Sequence, residues 1–524
     1  MKFGALILVA GFFAASCQQK FGIDVSQHLQ PAPVGTGGSA DVPTLSATPT
    51  SDIVSVKEEI FQGGSAGADR CNSVTVDSER NVYCVGTSGL EGFLLKMSPS
   101  GTTIWNTSLG KFGLNRVVVD SARKSVFAVG ATEGSIGEAN AMSGGQATWD
   151  ALVVKLNSTS GSVVWKKQFG AITKLHNLLN ANQGWDVFTS AAVDSDGNVV
   201  AGGFTKGNMG EVNGFTPPPL GYASKDLVLA KLDPNGELLW IRQMGAVTKV
   251  PGVANANAGN DACNSIAVDA QNNIFCGGAG QTLSEANGAL ATSATLSSHA
   301  EDAFVAKFDP AGNLKWIRQF GAGTRGSADT GIFAGNDVCR TLAIDKSGAI
   351  YCGGISAGQF AEKNGNPGDP SSYEAIFFKL NPDGVPIWKA QFRSATKAPN
   401  DPLAINGLDM ISGIALSADE KTLFASGQTS GDFGDTNASD AYQYDALVMK
   451  VNALSGSLIK IKQLGTEAAK TSSVTNAYKG NDWCLSGALD PSGIFYCAGS
   501  TLGNMGAQNL GSFDYFIWKI GADF

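Results

Sequence analysis

Eight of the nine cysteines fall into four pairs, and the two members of every pair are thirteen residues apart. Thiols at such a fixed spacing can form disulfides or bind zinc. Zinc is disfavoured, because each pair lies in a different repeat of the chain and supplies only two ligands. We predict four disulfides formed in an oxidising compartment, with buried free thiols as the alternative. The pairs are Cys71/Cys84, Cys263/Cys276, Cys339/Cys352 and Cys484/Cys497.

The residues that usually carry out acid–base or nucleophilic catalysis do not form a recognisable pattern. Only three histidines occur, His28, His176 and His299, and none belongs to a repeated motif. The chain contains no GxSxG, HExxH or phosphate-loop sequence. We therefore predict that the protein is not an enzyme. The alternative is an enzyme that acts on a glycan or uses a quinone, with carboxylates of its long loops as acid and base.

A second group of candidate residues is an acid that recurs in long variable segments, within the pattern G-x-apolar-small-acid-x-Asn. Segments with so many side-chain oxygens can bind Ca²⁺ or a basic partner. The same residue types also brace turns by bonding to nearby backbone groups. Recurrence in nearly every repeat favours bracing, so we expect no cofactor and keep Ca²⁺ as the alternative. The acids are Glu138, Glu211, Glu285, Glu362 and Asp435.

These candidates are carried by a repeated unit of four short apolar segments, best seen between Gly259 and Gly321. The sequence DAQNN separates the first two segments and DPAGN the last two, a pattern typical of a four-stranded antiparallel meander. Seven copies of the unit align on the residue that begins the first turn. These residues are Asp77, Asp120, Asp194, Asp269, Asp345, Ser417 and Asp490.

The seventh copy stops after its third strand, and residues 54–61 provide a matching strand before the first copy. A closed ring accounts for both observations, because the N-terminal strand then completes the last unit and leaves no open sheet edge. We predict an all-β fold, a seven-bladed β-propeller of four-stranded antiparallel blades over residues 54–524. Each third strand carries an acid and, five residues later, a lysine, which we expect to form salt bridges between blades or solvated edges.

The segments IAVDAQNNIFCGG and DAFVAKFDPAGNLKW contain the pattern AVDxxxNxYxxG…DAFVAKxDPxGxLxW. This pattern resembles the bacterial SBBP family of seven-bladed β-propeller repeats, and the resemblance covers about residues 54–524. It implies the propeller fold. It implies little chemistry, since members of that family are mostly secreted or surface proteins of unassigned role.

The N-terminal segment has the features of an export signal. A lysine, an apolar run and small residues precede Cys17, and residues 1–17 are too short and wrongly flanked for a stable membrane span. The sequence Ala14-Ala15-Ser16-Cys17 resembles the bacterial lipobox, which implies acylation of Cys17. Residues 18–53 are rich in Pro, Gly, Ser and Thr, and we interpret them as a flexible tether.

One face of the predicted propeller carries long connections, whereas the opposite face carries short, uniform turns. Long loops on a rigid scaffold often form binding sites, and we expect a groove at the first repeat, which lacks them. Acids that begin first strands, including Asp69, Asp409 and Asp482, and several aromatic residues belong to this long-loop face. The aromatic candidates are Trp149, Trp185, Phe215, Tyr222, Phe333, Tyr373, Tyr442, Tyr444, Tyr478 and Trp483.

These observations predict a binding or interaction module that acts through its long-loop face. The net charge is −9 and no basic stripe occurs, which argues against nucleic acid as a partner. We expect a monomer that is exported, held at a bacterial membrane only by its lipid, and partnered by an envelope protein or a glycan. The predicted location is the outer membrane, on its periplasmic face or at the cell surface. A structural envelope protein without a separate ligand is a further alternative.

Overall fold

The structure of the protein is a computed structural model, and all regular secondary structure in its described residues is β-strand. The described residues are 46–47, 58–134, 136, 149–170, 185–207, 209, 225–245, 260–280, 301–321, 336–358, 360–361, 373–395, 408–433, 443–466, 480–510, 512–521 and 524. Within this part of the chain, no helix is long and apolar enough to cross a membrane.

The strands form seven antiparallel sheets, the blades, and each of the first six blades is traversed in sequence order from the centre of the ring outward. The first, innermost strands are β3 (Asp69–Val76), β7 (Phe112–Asp120), β11 (Asp186–Val193), β15 (Ala262–Val268), β19 (Asp337–Ile344), β23 (Asp409–Leu416) and β27 (Asp482–Leu489). The second strands are β4 (Val82–Ser88), β8 (Ser125–Thr132), β12 (Val199–Thr205), β16 (Ile274–Gly280), β20 (Ile350–Ser356), β24 (Thr422–Thr429) and β28 (Phe495–Thr501).

The outer half of each blade contains the third and fourth strands. The third strands are β5 (Glu91–Met97), β9 (Asp150–Asn157), β13 (Asp226–Leu232), β17 (Asp302–Phe308), β21 (Glu374–Leu380), β25 (Asp445–Asn452) and β29 (Asp514–Ile520). The fourth strands of blades one to six are β6 (Thr103–Gly110), β10 (Val163–Phe169), β14 (Leu238–Met244), β18 (Leu314–Phe320), β22 (Pro386–Phe392) and β26 (Leu458–Leu464). The predicted seven-bladed β-propeller is confirmed.

The N-terminal strand β2 (Glu59–Gly63) pairs with β29 and completes the seventh blade, as predicted. Of the predicted closing segment 54–61, residues 54–57 lie outside the described residues, and the strand continues to Gly63. The register places Glu59 opposite Lys519 and Gln62 opposite Phe516. A two-residue strand, β1 (Ser46–Ala47), pairs with the outer edge of β2 within the stretch predicted to be a tether.

Hydrogen bonds between innermost strands hold the ring together around its centre. The backbone N–H of Val117 donates to Ser73 Oγ (3.3 Å) and that of Ile266 donates to Ser190 Oγ (2.9 Å), each bond joining two neighbouring blades. The N–H of Val74 donates to Ser486 Oγ (3.2 Å) in the same way, joining the first blade to the seventh. The ring is therefore closed at its centre as well as by β2.

The four predicted disulfides are present, each joining the first and second strands of one blade. Their Cα atoms are 5.6–5.9 Å apart, within the usual range for a disulfide. All eight half-cystines are fully buried, and the alternative of buried free thiols does not describe this structure. The bonded pairs are Cys71–Cys84 in blade one, Cys263–Cys276 in blade four, Cys339–Cys352 in blade five and Cys484–Cys497 in blade seven.

Blades without a disulfide fill the same space with a pair of apolar residues. In blade two, Leu114 and Ala128 occupy the positions of the two half-cystines and are fully buried. Ile411 and Ala425 do so in blade six. A large residue beside a small one thus fills the volume that two half-cystines fill elsewhere, which keeps the blade interior close-packed.

The lysines of the third strands are buried or partly buried on the short-turn face, where first-to-second and third-to-fourth turns lie. Lys231 Nζ forms a salt bridge with Asp194 (2.9 Å), which begins the first turn of its own blade. It also donates to the Pro310 carbonyl in the next blade (3.3 Å), to which Trp240 Nε1 donates as well (3.2 Å). The prediction of salt bridges between blades or solvated edges was therefore wrong here, since the bond between blades ends on a backbone carbonyl.

Candidate binding site on the loop face

The loop face is the side of the propeller where first and third strands begin and where second and fourth strands end. Four of the predicted aromatic candidates on this face, Trp149, Trp185, Tyr444 and Trp483, are described and partly exposed, and a fifth, Tyr373, is described and buried. The others lie outside the described residues. They are Glu138, Glu211, Glu285, Glu362, Asp435, Phe215, Tyr222, Phe333, Tyr442 and Tyr478.

The half-cystines predicted from their spacing are not part of this surface. In each bonded pair the second-strand member is fully buried between its own blade and its neighbours, so no sulfur atom is available to a ligand. Their contribution is to the scaffold that carries the loops, because each bond ties an innermost strand to the next one. These second-strand members are Cys84, Cys276, Cys352 and Cys497.

The acids that begin the first strands are buried and brace the connections that lead into each blade. The Asp409 carboxylate accepts hydrogen bonds from Ser394 N (2.7 Å), Ser394 Oγ (2.7 Å) and Thr429 Oγ1 (2.6 Å). Asp482 accepts two from Thr466, and Asp69 accepts two from Ser65. These acids therefore act on their own loops, as the bracing interpretation expects.

A recurring glutamine, which the sequence reasoning missed, bonds to the third-strand acid in every blade except blade one. Gln243 Nε2 donates to Asp226 Oδ2 (2.7 Å), and Gln243 Oε1 accepts from the N–H of Met209 (2.9 Å). Met209 is buried, so the apolar residue of the loop pattern anchors the loop to the blade. The signal was available, because a glutamine follows three residues after the fourth-strand tryptophan in WKKQ, WIRQ and WKAQ.

Burial shifts the protonation of several of these acids. It raises the pKa of Asp226, Asp302 and Asp409 to about 6 and that of Asp482 to about 7, against an ordinary value of 3.8. Hydrogen bonds to each carboxylate lower its pKa, but the larger effect of burial raises it, so the net shift is upward. Within the described residues, no three His, Cys, Asp or Glu side chains lie close enough together to hold a metal ion.

Trp185 forms an aromatic–cation pair with Lys206 at the junction of blades two and three, where the backbone of Trp149 also lies, and we call these residues the first cluster. The N–H of Asp186 donates to the Trp149 carbonyl (2.8 Å), so these tryptophans are brought together by backbone pairing. Lys206 Nζ lies 4.8 Å from the centre of the Trp185 ring. Burial and the neighbouring charge of Lys225 lower the pKa of Lys206 to about 8.

Trp483 belongs to a second cluster, at the junction of blades six, seven and one. Its ring centre lies 5.4 Å from that of Phe513 and 6.4 Å from that of Tyr444. The guanidinium carbon of Arg70 lies 4.7 Å from the Phe513 ring centre and 6.0 Å from that of Trp483. Burial lowers the pKa of Arg70 to about 10. All four residues are partly exposed, although the Nε atom of Arg70 is itself buried.

Arg70 and Phe513 were missed by the sequence reasoning, although their positions carry a signal. Arg70 directly follows the first-strand acid Asp69, and Phe513 directly precedes the third-strand acid Asp514. The two residues are brought together by a backbone hydrogen bond, in which the N–H of Asp69 donates to the Phe513 carbonyl (2.9 Å). Comparing residues next to the repeated acids would have found them.

Blade one lies between the two clusters and has short connections on this face. Only Gly89 and Leu90 join β4 to β5, and only Lys111 joins β6 to β7. Leu90 is 53% exposed, and the Glu91 carboxylate accepts a bond from Ser108 Oγ (2.9 Å), because Ser108 replaces the recurring glutamine. The predicted short connections of blade one are confirmed.

A family model of known proteins matches one repeat of the chain. Residues 62–89, which include β3 and β4, match the family model of the SBBP beta-propeller repeat. No curated protein sequence shows significant similarity to the chain.

Two solved structures illustrate the likeness to other proteins. The beta-propeller domain of Cps50 (Swd1) from Myceliophteria thermophila is 10% identical, with 91% of this chain and 99% of that chain covered and a TM-score of 0.40. A quinohemoprotein alcohol dehydrogenase from Comamonas testosteroni is 11% identical, with 87% of this chain and 75% of that chain covered and a TM-score of 0.38. By its own strand order and by the match at residues 62–89, the chain is a seven-bladed β-propeller that carries an SBBP repeat.

Proposed function

We propose that the protein is a lipid-anchored, exported binding module that holds an envelope protein or a glycan on its loop face. The observation that carries this proposal is the second cluster, in which Arg70, Trp483, Phe513 and Tyr444 meet beside the short connections of blade one. The first cluster stands on the other side of blade one. Blade one, with its short connections, and blade two separate the two clusters.

The chemistry of the clusters suits recognition of a partner better than catalysis. Partly exposed Trp and Tyr rings offer flat apolar area to a sugar ring or an apolar side chain at low entropic cost. Arginine and tryptophan are also the residue types that most often dominate binding energy at protein interfaces. The first-strand acids, by contrast, are buried in loop bracing, which removes them from contact with a ligand.

The four disulfides are typical of a protein that folds in an oxidising, exported location. This supports the export signal predicted for residues 1–17. Acylation of Cys17, which lies outside the described residues, would then hold the module at a membrane. Partner and anchor would act at separate places on the chain.

Affinity capture from a detergent-solubilised envelope extract tests the proposal. The bait is the chain from Gln18 to Phe524, which keeps every strand of the seven sheets. A Trp185→Ala/Trp483→Ala variant should lose the captured partner, with a melting temperature that shows an intact fold. An Ile104→Ala/Ile387→Ala variant, changed at exposed positions on the opposite rim, should retain it.

Each capture should be repeated with Ca²⁺ and with a chelator. A partner that the parent chain and the Trp185→Ala/Trp483→Ala variant capture equally would contradict a role for the clusters. A partner released only by the chelator would shift the site to the acids of the long loops. Treating the captured material with glycosidase or protease distinguishes a glycan from an envelope protein.

A further inference from the structure

The exposed apolar side chains of the protein are concentrated on one rim. Twelve large apolar residues in the described part of the chain are exposed, and only Leu90 and Leu510 of these belong to the loop face. The other ten lie in the third-to-fourth-strand turns or in the first two residues of the fourth strands. We call this ring of side chains, at the edge of the short-turn face, the apolar rim.

The apolar rim follows a fixed register from blade to blade. The residue directly before the fourth-strand tryptophan, or before Lys460 in blade six, is aliphatic in five of blades one to six and is 48–56% exposed. These residues are Ile104, Val164, Leu239, Ile387 and Ile459. Blade four has Lys315 at this position. In three blades, Val163, Leu238 and Leu458 add a second exposed aliphatic residue directly before it.

Packing between blades does not account for these side chains. The tryptophan that follows makes the contact between blades, as when Trp165 Nε1 donates to the Pro234 carbonyl of the next blade (3.2 Å) and its ring packs against Gly236. The rim residues directly before the tryptophans, or before Lys460 in blade six, remain 48–56% exposed, so they are not covered by this contact. Singly exposed aliphatic residues are ordinary on protein surfaces, but their repetition at one height around a ring makes a surface.

The charges beside the apolar rim are mixed, with cations predominating on the strands. The fourth strands of blades one to six contain eight Lys or Arg residues and no Asp or Glu, in a protein whose net charge is −9. Acids occur in the neighbouring turns, where Glu237 pairs with Lys167 (3.3 Å) and Asp309 with Lys315 (2.9 Å). Aliphatic residues interleaved with cations are the combination that an anionic lipid surface attracts.

We infer that the apolar rim rests on a lipid bilayer, so that the short-turn face meets the membrane and the loop face is presented away from it. A ring of separated contacts cannot be matched at once by a rigid partner without the same symmetry, whereas a fluid bilayer surface can meet all of them. The chain also enters the propeller at this rim, because β2 begins at Glu59 opposite Lys519, at the short-turn end of β29.

The inference goes beyond anchoring by lipid, because it gives the bilayer a direct contact with the folded protein. Attachment through a lipid together with a second contact from the protein surface is firmer than attachment through either one alone. The rim would supply that second contact. It uses the face opposite the proposed binding site and does not depend on which partner the loop face holds.

Vesicle flotation tests the inference with the non-acylated chain from Gln18 to Phe524. Vesicles of phosphatidylcholine alone and with one quarter phosphatidylglycerol should both carry the protein upward, the anionic vesicles more strongly. The Val164→Thr/Leu239→Thr/Ile387→Thr/Ile459→Thr variant should partition at least ~10-fold less. Threonine keeps the strand preference, and melting curves check the fold.

The matched control changes the two exposed leucines of the loop face, Leu90→Thr/Leu510→Thr, and should float like the parent. Absence of the parent chain from both floated fractions would overturn the inference, as would a quadruple variant that floats equally well. Sedimentation of the protein without vesicles tests whether the rim instead binds a second copy of the chain. A parent dimer that becomes monomeric in the quadruple variant would show a self-interface and would also overturn it, while capture through the loop face stays a separate result.

Discussion

Gln62 Nε2 donates a hydrogen bond of 3.0 Å to the carboxylate of Asp514, a residue 452 positions later in the chain. The same side chain accepts bonds from the N–H groups of Met505 (2.8 Å) and Gly506 (2.9 Å) through its Oε1. Gln62 thus performs in β2 what Gln168 and Gln243 perform in the fourth strands of blades two and three. The strand that closes the ring copies the side-chain chemistry of a fourth strand as well as its backbone pairing.

Replacing Gln62 with alanine should destabilise the whole propeller. The substitution leaves the buried Asp514 carboxylate and the loop N–H groups without this partner, which costs about 2–4 kcal/mol. Urea unfolding measures the change. The exposed turn variant Gln271→Ala serves as the control and should stay within ~0.5 kcal/mol of the parent. Equal stability of Q62A and Q271A would contradict the role of this side chain in ring closure.

The repeat spacing and turn sequences were sufficient to predict the blades, their number and the closing strand. A period-two strand pattern and tight turns are local signals, and closure follows from counting strands. The lysines of the third strands were different, because Lys231 bonds to Asp194 and Pro310, which are separated from it by 37 and 79 positions. Local sequence does not predict which carbonyl or carboxylate a side chain will bond to across a blade junction.

The candidate site was predicted only in part for the same reason. Trp149, Trp185 and Trp483 were expected on the loop face because they lie beside strand ends. The cluster of Trp483 with Arg70 requires that blade seven meets blade one, and these two residues are 413 positions apart in the chain. Sequence reasoning could place each residue on the face, but only the closed ring brings the two together.

The acids whose pKa is raised by burial should make the protein less stable as the pH rises. Burial raises the pKa of Asp482 to about 7 in the folded state, while the unfolded chain keeps an ordinary value near 3.8. Between these two values the unfolded state loses a proton that the folded state retains, so the unfolding free energy falls from about pH 4 to pH 7. The contribution of Asp482 is on the order of 3–4 kcal/mol.

The Asp482→Asn variant separates this effect from other titrations. Asparagine offers an acceptor to Thr466 and carries no charge, so its stability relative to the parent should increase from pH 4 to pH 7. Urea unfolding at pH 4, 5.5, 7 and 8 gives the curve. The exposed variant Asp383→Asn should follow the parent throughout, and a D482N curve parallel to that of the parent would show that Asp482 titrates normally.

The disulfides should be replaceable by the residue pairs that other blades use at the same positions. Cys339 and Cys352 in blade five correspond to Ile411 and Ala425 in blade six, all four being fully buried. Cys339→Ile/Cys352→Ala should therefore keep the interior filled and lose mainly the cross-link, whereas Cys339→Ala/Cys352→Ala also leaves a cavity. We expect the double-alanine variant to be less stable by about 2–4 kcal/mol than the isoleucine–alanine variant.

Urea unfolding compares the two variants, and intact mass after alkylation without reduction checks that the remaining six cysteines are protected. Equal stability of the two variants would mean that the junction relaxes around the lost sulfur atoms. Free thiols in the parent protein would contradict the disulfides themselves. The comparison isolates packing from cross-linking, because both variants lack the same bond.

Replacing Lys231 with methionine should lower the unfolding free energy much more than removing an exposed lysine does. Lys231 and Asp194 are both buried, and the substitution leaves the Asp194 carboxylate without its cation and the Pro310 carbonyl with one donor fewer. Breaking a buried pair in this way costs about 3–5 kcal/mol. The exposed pair of Lys346 and Glu420, 3.8 Å apart, provides the matched control, and Lys346→Met should change stability by less than ~1 kcal/mol.

Urea unfolding of both variants at low and high salt completes the comparison. High salt should leave the difference between the two variants largely unchanged, because a buried pair is screened far less than an exposed one. A K231M variant as stable as K346M would mean that the tryptophan bond alone holds the turn of the next blade, since Trp240 keeps its own bond to Pro310 in both proteins.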